Sequence, residues 1–143
     1  MRIGGNMKKL FKILAVLGIV IFGLYSCSKS IIKGKFISTV KDGYFSELNE
    51  NVTIGKMMST ICKNCKWDYA TTDAGTVFVT FRGTRNGYPM ELDFFVRNFM
   101  GEMVFQVNRF RTNNVELTGK EADVGAPMVI YNTYLKDTGN KSK

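Results

Sequence analysis

A chain of 143 residues with 45% hydrophobic and 22% charged side chains has room for one core, and its two prolines and ordinary complexity exclude a long disordered region. The net charge of +8 does not predict a nucleic-acid partner: Arg2, Lys8, Lys9 and Lys12 lie in or before an apolar leader, and past residue 26 sixteen Lys and Arg face twelve Asp and Glu with no nucleic-acid recognition motif. With no histidine, Ser–His and Cys–His nucleophile pairs are excluded.

Lys8, Lys9 and Lys12 precede an unbroken apolar run from Ile13 to Leu24. A positive region followed by an apolar stretch of about 7–15 residues is the order of a secretory signal, and the run is short of the roughly 20 residues a membrane-crossing helix needs. Leu24-Tyr25-Ser26-Cys27 then resembles a bacterial lipobox, which implies cleavage before Cys27 and acylation of its thiol. Tyr25 departs from that pattern, where a small or β-branched residue is usual. The alternative is an uncleaved signal anchor with Cys27 as an incidental thiol. The lipoprotein reading divides the chain into a signal peptide (1–26), a lipid-attached tether (27–34), one domain (35–136) and a mobile tail (137–143). It places the domain outside the cytoplasm, at the outer membrane if the cell has one, because Ser28 is no Asp-type retention signal.

Residues 35–40 read as a strand closed by the turn pair Asp42-Gly43. Thr53 is suited to cap a helix, with Val52 and Met57 at the two positions of a hydrophobic staple. Ile54, Met58, Ile61, Cys62 and Cys65 recur on one helical face, so the helix is predicted to stop near Cys65-Lys66. From Trp67 the period changes to two. Strands are predicted over 67–72, 76–81, 89–97 and 103–108, separated by Asp73-Ala74-Gly75, Asn86-Gly87 and a loop at Asn98–Gly101. After Asn113-Asn114 comes a short strand at 115–117. Pro127 suits a first helical residue, and Val124, Met128, Tyr131 and Leu135 fit a short amphipathic helix. The expected fold is α+β: one main helix packed on a four- to five-stranded antiparallel meander, with a short C-terminal helix.

Val40-Lys-Asp-Gly-Tyr-Phe45, Thr53-Ile54-Gly55, Lys66-Trp67 and Val77-Phe-Val-Thr-Phe-Arg-Gly83 together resemble a family of small, uncharacterised bacterial envelope domains, over roughly residues 38–117. The resemblance implies a helix on an antiparallel meander attached to a membrane segment or tether, and implies no catalytic activity. A looser likeness, to helix-plus-meander lipoproteins of outer-membrane assembly and to β-lactamase-inhibitor-protein-like domains, is one of architecture only.

Cys62-Lys-Asn-Cys65 is the most conspicuous motif. Zinc needs about four ligands, and without histidine two cysteines fall short, so no metal is expected. A redox CxxC belongs at a helix N-terminus, where the dipole lowers the thiol pKa, whereas this pair is predicted at the opposite end. The readings left are a Cys62–Cys65 disulfide or two small core residues. Glu91 and Asp93 share a strand face and have acid–base potential, but two such residues more often mark the wet side of a sheet. No enzyme and no cofactor is expected. Phe78 and Phe95, with Arg82, Arg97 and Arg109, form a candidate interaction face for an unknown protein partner, with Phe110 and Tyr69 as further aromatics to weigh. The competing reading covers that face with the C-terminal helix as a second small core.

Overall fold

The computed structural model describes residues 32–139, nearly all of them in one compact unit that begins at Lys35. Residues 32–41 are helical (α1). They are followed by α2 (Ile54–Ile61), β1 (Lys63–Thr71), β2 (Val77–Arg85), β3 (Tyr88–Phe99), β4 (Glu102–Thr112), β5 (Val115–Thr118) and α3 (Gly119–Asp137). The strands pair in sequence order as one antiparallel five-stranded sheet. The α+β meander is therefore as expected; several element assignments are not. The signal and the Cys27 lipobox lie outside the described residues.

The turns that order the meander follow from local chemistry. Asn86-Gly87 has φ of 51° and 81°, the left-handed pair that a two-residue hairpin needs and that Asn and Gly adopt most readily. Thr72 and Thr76 close the β1–β2 loop through Thr72 N–H to the Thr76 carbonyl, with Gly75 at φ 80°. Alternation then divides each strand into two sets. Val79, Phe81, Met90, Leu92, Phe94, Val96, Val107 and Phe110 all point to one face and are buried. Trp67 meets Phe81 edge-on at 4.9 Å and stacks on Phe94 at 6.2 Å. Burying one such aromatic side chain contributes roughly 1.5–3 kcal/mol.

All three helices close this same core. α2 inserts Ile54, Met57, Met58 and Ile61, and Thr53 caps it by accepting from Lys56 N–H at 3.2 Å. Gly55 lets its first turn lie against α1: an added Cβ would stand 2.8 Å from the Lys41 carbonyl oxygen. α3 contributes Ala122, Ala126 and Ile130, an i, i+4, i+8 stripe.

Three helix assignments are corrected. Residues 35–40 are helical and not a strand. Phe36, Ile37 and Val40 lie on one helical stripe against the core, and Ser38 and Thr39 hydroxyls bond back to the Lys35 carbonyl at 3.1 and 2.8 Å, so both hydroxyls are satisfied within the helix. Residues 32–34, assigned to the tether, continue that helix. α2 ends at Ile61, before the CxxC pair: Cys62 is its C-cap, and Asn64 (φ 53°) with a bulge between Lys63 and Lys66 turns Cys65 into β1. α3 is 19 residues long, with Pro127 inside it and not at its start. Its buried stripe is rotated from the one expected, leaving Val124 and Met128 exposed. Its last residue, Asp137, belongs to the expected tail yet is ion-paired with Arg85.

One irregularity matters for everything downstream. In the β3–β4 pairing Phe94 faces Val107 but Asp93 faces Arg109, so Asn108 is an extra residue. The bulge reverses the alternation. Phe105 and Val107 face the core before it, Phe110 faces the core after it, and Arg109 and Arg111 are delivered together to the opposite face. Phe110 and Tyr69 accordingly leave the candidate surface: Phe110 is buried, and Tyr69 stacks on Phe36 at 6.0 Å.

Candidate interaction surface

Phe78, Arg82, Phe95, Arg97 and Arg109 share the face of the sheet turned away from the helices. Phe78 and Phe95 are direct cross-strand partners, their rings 5.8 Å apart and tilted by 47°. α3 packs into the single core on the other side, so it does not cover these phenylalanines. The second-core alternative is corrected by this placement. Both rings are half-buried and lean on each other.

Next to the aromatic pair lies a charge cluster. Arg82 faces Glu91 across β2–β3, and Arg82 Nε donates to Glu91 Oε2 at 3.0 Å. Arg109 bridges both acids, bonding Glu91 Oε1 through its terminal nitrogen and Asp93 Oδ2 through Nε at 2.8 Å. Thr80 Oγ1 donates to Asp93 Oδ1 at 2.8 Å, and Arg111 stands 3.5 Å from Glu91 Oε2. Partial burial pulls the Arg109 pKa down, and Asp93 and Glu91 outweigh it, holding the guanidinium above its ordinary value. All four carboxylate oxygens thus have cationic or hydroxyl partners. Glu91 and Asp93 act as counter-ions for three arginines, and an acid–base pair aimed at a substrate is not what the geometry presents. Thr80 and Arg111 escape a sequence reading: Arg111 joins the cluster only through the Asn108 bulge.

Arg97 stands apart. Its guanidinium lies 6.0 Å over the ring of Phe99, at the tip of the β3–β4 hairpin. There Phe99 is 57% and Met100 90% exposed, and Met100 adopts φ 51°. The tip is an apolar apex joined to one cation.

Cys62 and Cys65 stand as free thiols on diverging paths. Cys62 is buried with its sulfur 3.4 Å from Met90 Sδ, while Cys65 donates to the Cys62 carbonyl at 3.4 Å. Burial first, then the neighbouring Cys65, pushes the Cys62 thiol up to about 11; burial also raises Cys65. Neither is an activated nucleophile. In the folded protein without reductant, iodoacetamide is expected to modify Cys65 and spare Cys62 until denaturation. Protection of both thiols until reductant is added would instead establish a disulfide.

Arg85 ties the ends of two helices together. Its guanidinium donates to the Ile61 carbonyl at 2.9 Å and to Asp137, with NH2 to Oδ1 at 3.0 Å. A cation there complements the negative end of α2. The hydrogen bond from Arg85 holds the Asp137 carboxyl below its ordinary range.

Among the described residues, no three His, Cys, Asp or Glu side chains come together as a metal-ligand group, and no helix is long and apolar enough to cross a membrane. Compared with protein families, curated proteins and solved structures, the chain matches none.

Proposed function

We propose that the protein is a lipid-anchored bacterial envelope protein whose folded domain is a non-enzymatic binding or accessory module, docking an unidentified protein through the outer sheet face. The observation that carries the anchoring is the distribution of charge. Between residues 35 and 139 twelve Lys and Arg meet twelve Asp and Glu, so once cleavage before Cys27 removes Arg2, Lys8, Lys9 and Lys12 the remaining excess of +4 lies in Lys29, Lys33, Lys141 and Lys143. Cationic flanks around a neutral domain suit a chain held at anionic headgroups, where each basic residue contributes about 1 kcal/mol. The lipobox-like Leu24-Tyr25-Ser26-Cys27 supplies the acylation site, and the likeness to small envelope domains points the same way.

The binding role rests on the uncovered Phe78–Phe95 pair bordered by Arg82, Arg97 and Arg109, residue types enriched where interfaces concentrate their energy. A non-enzymatic role is supported by the lack of histidine, the engaged state of Glu91 and Asp93, and the raised Cys62 and Cys65 thiols.

Two experiments test this. Labelling cells with an alkyne-tagged palmitate should mark the wild-type protein and not Cys27→Ala, and intact, unlipidated protein free in the cytosol would refute the anchor. In-cell cross-linking followed by mass spectrometry should recover a partner that is lost in Phe78→Ala and Arg97→Ala. A cross-link pattern unchanged by both substitutions would leave the domain a spacer or assembly part.

A further inference from the structure

The sheet has two edges, and they are built differently. β1 forms one, and its exposed side carries Lys63, Lys66 and a bulge, the devices that discourage another strand from pairing. β4 forms the other over its first half. β5 covers only Arg109–Thr112, because at Gly119 (φ 55°) the chain leaves the sheet line and enters α3. From Glu102 to Val107 no strand of the described residues lies outside β4.

The hairpin turn determines which backbone groups are left over. Met100-Gly101 is a two-residue turn, so Phe99 and Glu102 close it as a hydrogen-bonded pair. By antiparallel alternation Val104 and Gln106 also bond to β3, whereas Met103, Phe105 and Val107 turn their N–H and C=O groups outward. Val107 N–H is taken by Asp123 Oδ1 at 3.0 Å. Met103 and Phe105 N–H have no partner among the described residues. The open segment, Glu102-Met-Val-Phe-Gln106, contains no Lys, Arg or Pro.

Beside this edge lies a cleft of about 540 Å³, between residues 44–48, the β4 edge and the first half of α3. Its apolar walls are Phe45, Leu48, Phe105, Val124 and Met128. Val124 and Met128 are 66% and 47% exposed, apolar side chains that α3 turns away from the core. The charged residues lining the cleft are Glu47 and Asp123, both acidic.

We propose that this edge takes an extended segment of a partner protein as a sixth strand, collinear with β5. Its main chain pairs with the outward groups of Met103 and Phe105. Alternate side chains enter the cleft, apolar against Val124 and Met128 and basic toward Glu47 and Asp123. Unpaired strand amides specify an extended backbone, the cleft specifies alternate apolar residues, and the two carboxylates specify Lys or Arg. A slot between a loop and a helix admits a single chain; a second copy approaching edge to edge brings its own 44–48 loop and α3 into the same space. The proposal depends neither on lipid attachment nor on the outer face.

The test uses the full chain in detergent and two peptides whose cleft-facing alternate positions carry both residue types, a Lys-Val peptide, acetyl-(Val-Thr-Lys-Thr)2-amide, and a Glu-Val peptide, acetyl-(Val-Thr-Glu-Thr)2-amide. The Lys-Val peptide should bind and protect the Met103 and Phe105 amides from hydrogen exchange, and the Glu-Val peptide should bind at least about tenfold more weakly. Val124→Lys, at an exposed site, should keep the wild-type thermal midpoint and lose about tenfold in affinity. Met103→Pro, which deletes an outward donor at an edge position, should abolish protection at Phe105. Absence of binding at millimolar peptide, equal binding of the two peptides, or unchanged affinity in Val124→Lys overturns the proposal. So does concentration-dependent dimerisation that buries Met103 and Phe105 without peptide, since the occupant is then a second copy.

Discussion

The two faces of this sheet are made from the same strands, one residue out of phase, and they are held by different physics. The inner face is continuous hydrocarbon: Val79, Phe81, Leu92 and Phe94 are each fully buried, and among the described residues no polar or charged one is buried with them. The outer face is a lattice of paired charges around one aromatic contact, with Arg109 joined to two acids and Phe78 leaning on Phe95. Area removed from water stabilises the first; the second trades exposed ion pairs of small individual worth for positional specificity. Stability is thus concentrated on one side and recognition chemistry on the other.

The contrast breaks most decisively at Phe94. It sits between Trp67 and Phe105, and Phe94→Ala should cost about 3–5 kcal/mol in denaturant unfolding. A loss under about 1 kcal/mol would mean that the inner face is not the main source of stability. On the outer face, Arg109→Met should cost roughly 1–2 kcal/mol, because Glu91 and Asp93 lose their shared cation and repel each other. That loss should shrink in high salt, as screening weakens the repulsion, whereas the Phe94→Ala loss should not.

A smaller effect of opposite sign is expected at the hairpin tips. Asn86-Gly87 and Met100-Gly101 have nearly the same geometry, φ 51° and 81° against 51° and 88°. One uses the residue this conformation favours; the other holds an exposed methionine. Met100→Asn should therefore stabilise the protein by about 0.5–1 kcal/mol, read as a higher thermal midpoint. The smallest effect is at the Arg85–Asp137 pair. Because the folded Asp137 pKa is depressed, its contribution is present above the unfolded carboxyl value and fades as pH falls through the folded one. Asp137→Asn should flatten the acid limb of the stability–pH curve and leave the slope near neutrality unchanged.

How much of this was readable beforehand depended on whether the signal was local. The meander was readable because Asn86-Gly87, Asn113-Asn114 and the alternation of β2 and β3 each declare themselves within a few residues. Thr53 likewise announced α2. The α1 segment was not, since Phe36, Ile37 and Val40 in a short β-branched run fit a strand as well as a helical stripe, and only the packing partner decides. α3 was misplaced because Pro127 is usually a helix start; here the missing N–H is accommodated inside a helix held by Ala122, Ala126 and Ile130. Phe78, Arg82, Phe95 and Arg97 follow from alternation; Arg109 shares their strands but by strict alternation from Val107 falls on the core side, Arg111 and Thr80 are not picked out, and Phe110 is wrongly included. The Asn108 bulge, which no local pattern announces, accounts for Phe110 and Arg111.

That same bulge makes the chain unevenly sensitive to its own length. The β1–β2 loop can gain or lose a residue without changing which side chains point inward. Between Val107 and Arg109 a single residue gained or lost exchanges the roles of all that follows in β4, turning Phe110 to water and driving Arg109 and Arg111 toward hydrocarbon. The second half of the strand, and the β5 ladder paired to it, are therefore indexed by one asparagine.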